Sequence, residues 1–277
     1  MIQDLFFGTE LAATTKPQGD GWTRMRILIT VKAAPQPSST YGETVCVAGL
    51  RLDLGETGWV RLFPINFREL GQEQQFKKYQ IVQLRARPTR GDPRIESWRP
   101  DLTSIQTENT LAPWSPRRPF VDPYITDSMC DVLDAVRSVP PARSLAAVRP
   151  REVTRIRIAP HPGWTADEQA KIDQYINQPD LQGGDRSVLE APAYRGWYLY
   201  RCERNRCRGH EQGILDWEFV ALQRRLRGHS DAEIRNRLRQ RFLEELCAPD
   251  RDVAFYVGNQ AKRQHVFSVL GVYHPKR

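Results

Sequence analysis

Apolar and polar positions alternate over short runs in the first third of the chain and over longer, helix-like periods in the second half. After Trp22 the run MRILITVKA, Met25 to Ala33, is β-branched and nearly continuous in apolar residues, as a buried strand requires. PQPSSTYGE breaks it, and ETVCVAGLRL (43–52), GWVRLFPI (58–65) and YQIVQLRARP (79–88) follow, with a small helix predicted in the intervening NFRELGQEQQFKK. Strands of this length and spacing predict a twisted antiparallel sheet closed into an OB-like β-barrel. Pro88 to Pro123 is proline-rich, yet Ile95, Trp98, Leu102, Ile105 and Leu111 recur along it. The expectation there is an extended passage of strand and loop wrapping the barrel.

ITDSMCDVLDAVRSV (125–139) carries apolar residues at i, i+3 and i+4 and predicts a helix ended by Pro140 and Pro141. PPARSLAAVRP then divides the chain into a β-rich domain over 1–140 and an α+β domain over 150–277. EVTRIRIAP (152–160) predicts a strand with Arg155 and Arg157 on one side. Thr165 and Glu168 form a capping box opening a helix over 165–178. GWYLYRC (196–202) predicts a strand. ILDWEFVALQRRL and DAEIRNRLRQRFLEEL predict two helices, the second opened by the Ser230 and Glu233 box, and the tail predicts a final antiparallel pair. The fold class is therefore α+β, an N-terminal OB-like antiparallel barrel followed by an α+β domain.

Composition adds the solvent and the partner. Hydrophobic residues make up 40% and charged residues 27% of 277, as in a protein with an ordinary core. No window approaches the ~18 apolar residues of a spanning helix, and the start lacks a basic, cleavable leader, so a cytoplasmic protein without membrane attachment is expected. Five unevenly spaced cysteines do not make a disulfide framework. The net charge is +8, and arginine far outnumbers lysine. Guanidinium forks suit phosphate, which points to a nucleic acid as partner, DNA or RNA. Basic residues lie among Trp59, Phe63, Tyr79 and Trp98 in the first domain. Arg61, Arg68, Lys77, Lys78, Arg85 and Arg87 are its candidate phosphate contacts. In the second domain Arg224, Arg225, Arg235 and Arg239 sit on two helices joined by a glycine-containing turn, and they suit phosphates better than base edges.

The densest chemistry is CERNRCRGHEQGILDWE. Cys202, Cys207 and His210 follow C-x4-C-x2-H at a strand end, a spacing that suits a structural zinc ion. A fourth ligand must come from elsewhere; Cys247 completes a sulfur-rich set. Cys46 and Cys130, among apolar residues, read as buried small side chains. Asp216 and Glu218 fit the first turn of a helix, where the dipole favours acids. The alternative is a metal-dependent nuclease using Asp216, Glu218 and a distant lysine such as Lys262. A third reading is a structural adaptor for an acidic protein.

ETVCVAGL, GWVRLFPINFREL, FKKYQIVQLRARP and DPRIESWRP together resemble a group of uncharacterised bacterial proteins with N-terminal OB-like domains, in which a V-C-x-A-G strand and a G-W-[IV]-R strand recur. The resemblance spans residues 25–100. It implies a setting in mobile-element or phage-defence neighbourhoods and identifies no catalytic residue. The expected function is a nucleic-acid-binding accessory protein carrying a structural zinc, acting as a subunit, with other proteins, of a defence or DNA-processing complex.

Overall fold

A computed structural model describes residues 19–54, 58–67, 70–126, 128–138, 142–177 and 188–277. The first barrel is built from β1 (Thr23–Lys32), β2 (Gln36–Ser38), β3 (Gly42–Arg51), β4 (Trp59–Ile65), β5 (Gln80–Pro88), β6 (Ser97–Pro100) and β7 (Gln106–Thr110). The order is β1-β3-β4-β6-β5, and β5 pairs back onto β1 from Thr23↔Ala86 to Leu28↔Ile81, which closes the circuit. β4 and β6 run parallel and the other pairs in the circuit are antiparallel, the connectivity of an OB-like barrel. Its interior is filled by Ile27, Ile29, Val47, Val60, Leu62 and Val82, all fully buried. Each such side chain contributes about 1.5–3 kcal/mol by leaving water.

β6 corrects the expectation for the proline-rich passage. Four residues are enough to make it a strand of the barrel wall, because Trp98 is buried and Pro100, which has no N–H to give, ends it. Where a helix is expected in NFRELGQEQQFKK, the described residues include a short 3-10 turn, Gln72–Gln74, with no buried side chain to extend it.

After a short α1 (Arg118–Val121) come β8 (Ile125–Thr126), α2 (Met129–Ser138), β9 (Leu145–Val148), β10 (Pro150–Pro160), α3 (Ala166–Ile176), β11 (Tyr194–Cys202), β12 (His210–Gly213), α4 (Trp217–Arg225), α5 (Asp231–Arg239), β13 (Ala254–Gln260) and β14 (Arg263–Tyr273). Both predicted capping boxes form, at Thr165 with Glu168 and at Ser230 with Glu233. β8 pairs with β9, and Met129 and Val132 of α2 lie in the second core, so the segment from 125 packs with the C-terminal half.

The strands of this half repeat the order of the first barrel. β9 and β10, interrupted only at Arg149, act as one bent strand: β10 pairs with β11, β11 with β12, and β9 with β13. β13 pairs with β14, and a parallel bridge between Ile214 and Val269, with Leu215 N donating to Val269 O at 2.8 Å, joins the end of β12 to β14. Third and fifth strands are again parallel. α4 and α5 occupy the connection between third and fourth strands, where the first barrel has its 3-10 turn.

The two barrels share a core. Leu28, Ala48, Leu50 and Tyr79 of the first pack with Leu145, Ala147, Tyr256, Leu270 and Tyr273 of the second. Tyr79, at φ 61°, turns its ring into this junction. No helix among the described residues is long and apolar enough to cross a membrane.

Candidate metal centre and basic surfaces

The metal centre is assembled from two places far apart in sequence. Ser128 precedes α2 and its Oγ accepts from Asp131 N, which sets Cys130 in the first helical turn. β11 ends at Cys202, the chain turns, and β12 begins at His210. The turn needs Gly209, whose φ of 99° lies in the left-handed region and whose N–H donates to Cys207 Sγ at 3.4 Å.

Cys130, Cys202, Cys207 and His210 thereby offer one ligand atom each, all within 4.8 Å of one another. Cys202 Sγ lies 3.6 Å from Cys130 Sγ, and His210 Nε2 lies 3.3 Å from Cys207 Sγ and 3.5 Å from Cys130 Sγ. Zinc bonds of about 2.3 Å to sulfur and about 2.0–2.1 Å to nitrogen at tetrahedral angles put the ligand atoms roughly 3.6–3.8 Å apart. The four residues could hold a metal ion such as zinc. The fourth member of this cluster is Cys130; Cys247, the expected fourth, lies outside it, where its thiol donates to Phe242 O at 3.5 Å and burial pushes it up to about 12.

The electrostatics fit a cation as well. Burial and the neighbouring Cys202 and Cys207 sulfurs push the Cys130 thiol up to about 12. Burial also works against the Cys202 thiolate, but donors at Ser128, the Cys130 N–H and His210 outweigh it and bring that thiol down to about 5. One sulfur is ready to ionise, and Cys130 beside it resists through burial and the crowding of charge. A dication at the centre would remove that repulsion.

Asp216 and Glu218 belong to a separate arrangement. Asp216 is the N-cap of α4, not a first-turn residue, and accepts from Glu218 N at 2.9 Å. Both its oxygens also take the Lys78 ammonium, at 2.7 and 2.8 Å, and Glu218 lies 3.5 Å from the same nitrogen. Lys78, a candidate phosphate contact by sequence, is thus spent on holding the barrels together. Burial disfavours its charge, but Asp216 and Glu218 beside it keep its pKa above the ordinary lysine value. Lys262 lies in the β13–β14 turn, outside this group.

Arg61 is likewise buried rather than presented to a partner. Its guanidinium crosses the junction to donate to Ser144 O at 3.1 Å and to Cys46 Sγ at 3.0 Å, while Glu96 accepts from Ser144 N and Oγ. Gly258 makes room for it, since a Cβ there would lie 3.2 Å from the guanidinium and 2.6 Å from Leu270. Arg68 lies outside the described residues. Lys77 is exposed; Arg85 is exposed but paired with Asp101 at 2.6 Å, and Arg87 lies over the Trp22 ring at 5.2 Å. On the helices, Arg235 pairs with Asp231 and Arg239 with Glu244, both at 2.9 Å, whereas Arg224 and Arg225 have no ion pair among the described residues.

Comparison with known proteins adds little to this chemistry. No curated protein matches the chain. The crystal structure of the tetrameric p202 HIN2 aligns over 94% of this chain and 97% of its own, at 8% identity and a TM-score of 0.28, too slight a likeness to argue from. Residues 23–123, the first barrel, match the model of a domain of unknown function, DUF8758. Residues 125–277 match that of another domain of unknown function, DUF8757; this spans the second barrel with β8, α2 and all four metal-site residues, and the chain belongs to the DUF8757 family.

Proposed function

We propose that this protein binds nucleic acid through the outer surfaces of its two barrels, with a structural zinc ion at Cys130, Cys202, Cys207 and His210. The observation that carries the reading is the pairing of an OB-like barrel with a net charge of +8 held mostly as arginine. Closed barrels of this kind present an outer strand face on which guanidiniums meet phosphates and aromatic rings meet bases. Zinc would cross-link the start of α2 to the β11–β12 hairpin and so fix that face without taking part in chemistry.

An accessory subunit of a DNA-processing or defence complex is the role proposed, on the strength of the sequence resemblance over residues 25–100. The binding itself is tested by anisotropy with labelled single- and double-stranded oligonucleotides across a salt series. Log K should fall linearly with log salt, with a slope of about −0.7 to −0.9 per phosphate engaged. Absence of binding at low salt would sink the reading.

A further inference from the structure

Ion pairs engage some arginines of each barrel and leave others without a carboxylate. On the first barrel Arg26 is committed to Glu108, Arg85 to Asp101 and Arg90 to Asp20, while Arg24, Arg87 and Arg99 form no ion pair with a described carboxylate and stand on three different strands. On the second, Arg155, Arg195, Arg201 and Arg208 form no ion pair with any described carboxylate, and the first three project from the outer face of β10 and β11. Phosphate binding is strongest where a guanidinium has no internal anion to release first.

The same face carries an aromatic. Trp197 stands on β11, opposite Arg157 of β10 and Gly213 of β12. Arg157 lies over the indole at 3.6 Å and is anchored by Glu211, and Arg195 approaches the ring at 5.5 Å. Gly213 leaves one edge of the ring uncovered, for a Cβ there would sit 3.7 Å from Nε1. Two and four residues further along β11, Leu199 and Arg201 border a cavity of about 380 Å³ whose other walls include Arg155, Arg208 and His210 of the candidate metal site. Two carboxylates share the face: Glu211, engaged by Arg157, and Glu152, opposite Arg201 across the strands without an ion pair.

We infer that the β10–β11–β12 face is a binding track for a single-stranded polynucleotide, with a base stacked on Trp197 and Arg157, and phosphates held by Arg155 and Arg201. This rests on the nucleic-acid reading above and names its site. A single strand is the occupant because stacking on an aromatic side chain needs an unstacked base, which a duplex does not offer. β11 and β12 are the second and third strands of their barrel, the pair on which OB folds hold oligonucleotides. The metal centre lies at the end of the track and fixes the turn that carries Arg208.

The test is anisotropy with labelled dT20 and rU20, following whichever binds tighter, with a 20-base-pair duplex as competitor. Trp197→Ala should weaken binding about tenfold or more at fixed salt and leave the salt slope unchanged, and Trp197→Phe should retain affinity. Arg155→Ala with Arg201→Ala should make the slope shallower by about 1.4, two phosphates at about 0.7 each. Melting temperature and zinc content check folding; if Trp197→Ala unfolds, Trp197→Phe and the arginine pair carry the test. Wild-type affinity and slope in these variants, together with loss of binding in Arg85→Ala/Arg87→Ala, would overturn the assignment while the nucleic-acid reading stood. Equal competition by duplex would also overturn it. A wild-type protein that binds no oligonucleotide removes the underlying reading and this one with it.

Discussion

Replacing Lys78 with methionine should unfold the junction between the barrels rather than weaken a nucleic-acid contact. The side chain of Lys78 is 13% exposed and that of Asp216 3%, and the ammonium reaches both carboxylate oxygens within 2.8 Å. Breaking a buried pair from one side leaves an uncompensated charge, at a cost of about 3–5 kcal/mol. At about 2–4 °C per kcal/mol for a chain of this size, the melting temperature should fall by about 6–20 °C. Lys78→Met combined with Asp216→Asn should recover more than half of that loss. Asparagine caps a helix as well as aspartate does, so the amide still serves Glu218 N while the orphaned charge is gone. Glu218 is half-exposed and can turn to solvent. The assay is denaturant unfolding of the wild type, both single variants and the double variant, read as a double-mutant cycle. A loss below about 1 kcal/mol in Lys78→Met, or a double variant at the sum of the singles, refutes the argument. So does a salt slope for oligonucleotide binding that becomes shallower by about 0.7–0.9 in Lys78→Met, because that would make the ammonium a phosphate contact.

Elemental analysis of the purified protein should find one zinc per chain, lost in Cys130→Ser and Cys207→Ser and kept in Cys247→Ser; zinc retained in Cys130→Ser, or lost in Cys247→Ser, contradicts the four-ligand assignment. Lys32 gives an alkaline signature. Burial, then repulsion from Lys78, lowers its pKa to about 8, with Nζ over the Phe67 ring at 3.4 Å and donating to Phe76 O. A lysine depressed on folding binds fewer protons in the native than in the unfolded state between pH 8 and about 10.4, so its contribution to stability rises across that window, by at most about 3 kcal/mol. Denaturant unfolding at pH 7.5 and 10 should show this rise relative to Lys32→Met, and parallel curves for the two proteins refute it. Asp216→Asn and Glu218→Gln should leave any magnesium-dependent cleavage activity of the preparation unchanged, since a divalent ion at Asp216 would have to displace Lys78; cleavage abolished by either substitution would establish a nuclease centre instead.

Periodicity makes most of the elements legible in the sequence. Runs such as Met25 to Ala33 and the boxes at Thr165 and Ser230 depend on neighbours within a few residues, and they form where expected. The closure of the barrels does not depend on local pattern. β6 is short and flanked by prolines, and only its pairing with both β4 and β5 identifies it as wall. The second circuit turns on a single bridge between residues 55 positions apart, Ile214 and Val269. At the metal centre the C-x4-C-x2-H half is legible because a tight turn imposes its spacing. Cys130 is not, for a helix 72 residues upstream of Cys202 leaves no spacing to count, and its apolar neighbours make it look like core. The Lys78 pair is hidden similarly: no sequence rule distinguishes a lysine aimed at an Asp 138 residues away from the exposed Lys77 beside it.

The charges of this molecule sort by whether they already have a partner. Lys78 and Arg61 are basic residues spent at the junction, on a carboxylate pair in one case and on Ser144 and Cys46 in the other, and their role is to make two barrels one body. On the first barrel Arg26, Arg85 and Arg90 meet Asp or Glu at 2.6–2.9 Å, so a phosphate arriving at any of these three would have to break a charge-assisted hydrogen bond before forming one. The face of β10, β11 and β12 lacks that competition at Arg155, Arg195 and Arg201, and it is the face whose far end the metal-site residues hold. A net charge of +8 says only that an anion is attracted. Arg155, Arg195 and Arg201 stand without a carboxylate on one strand face with Trp197, and that clustering favours the second barrel for the proposed nucleic-acid track over the first, where most of the candidates by sequence lie.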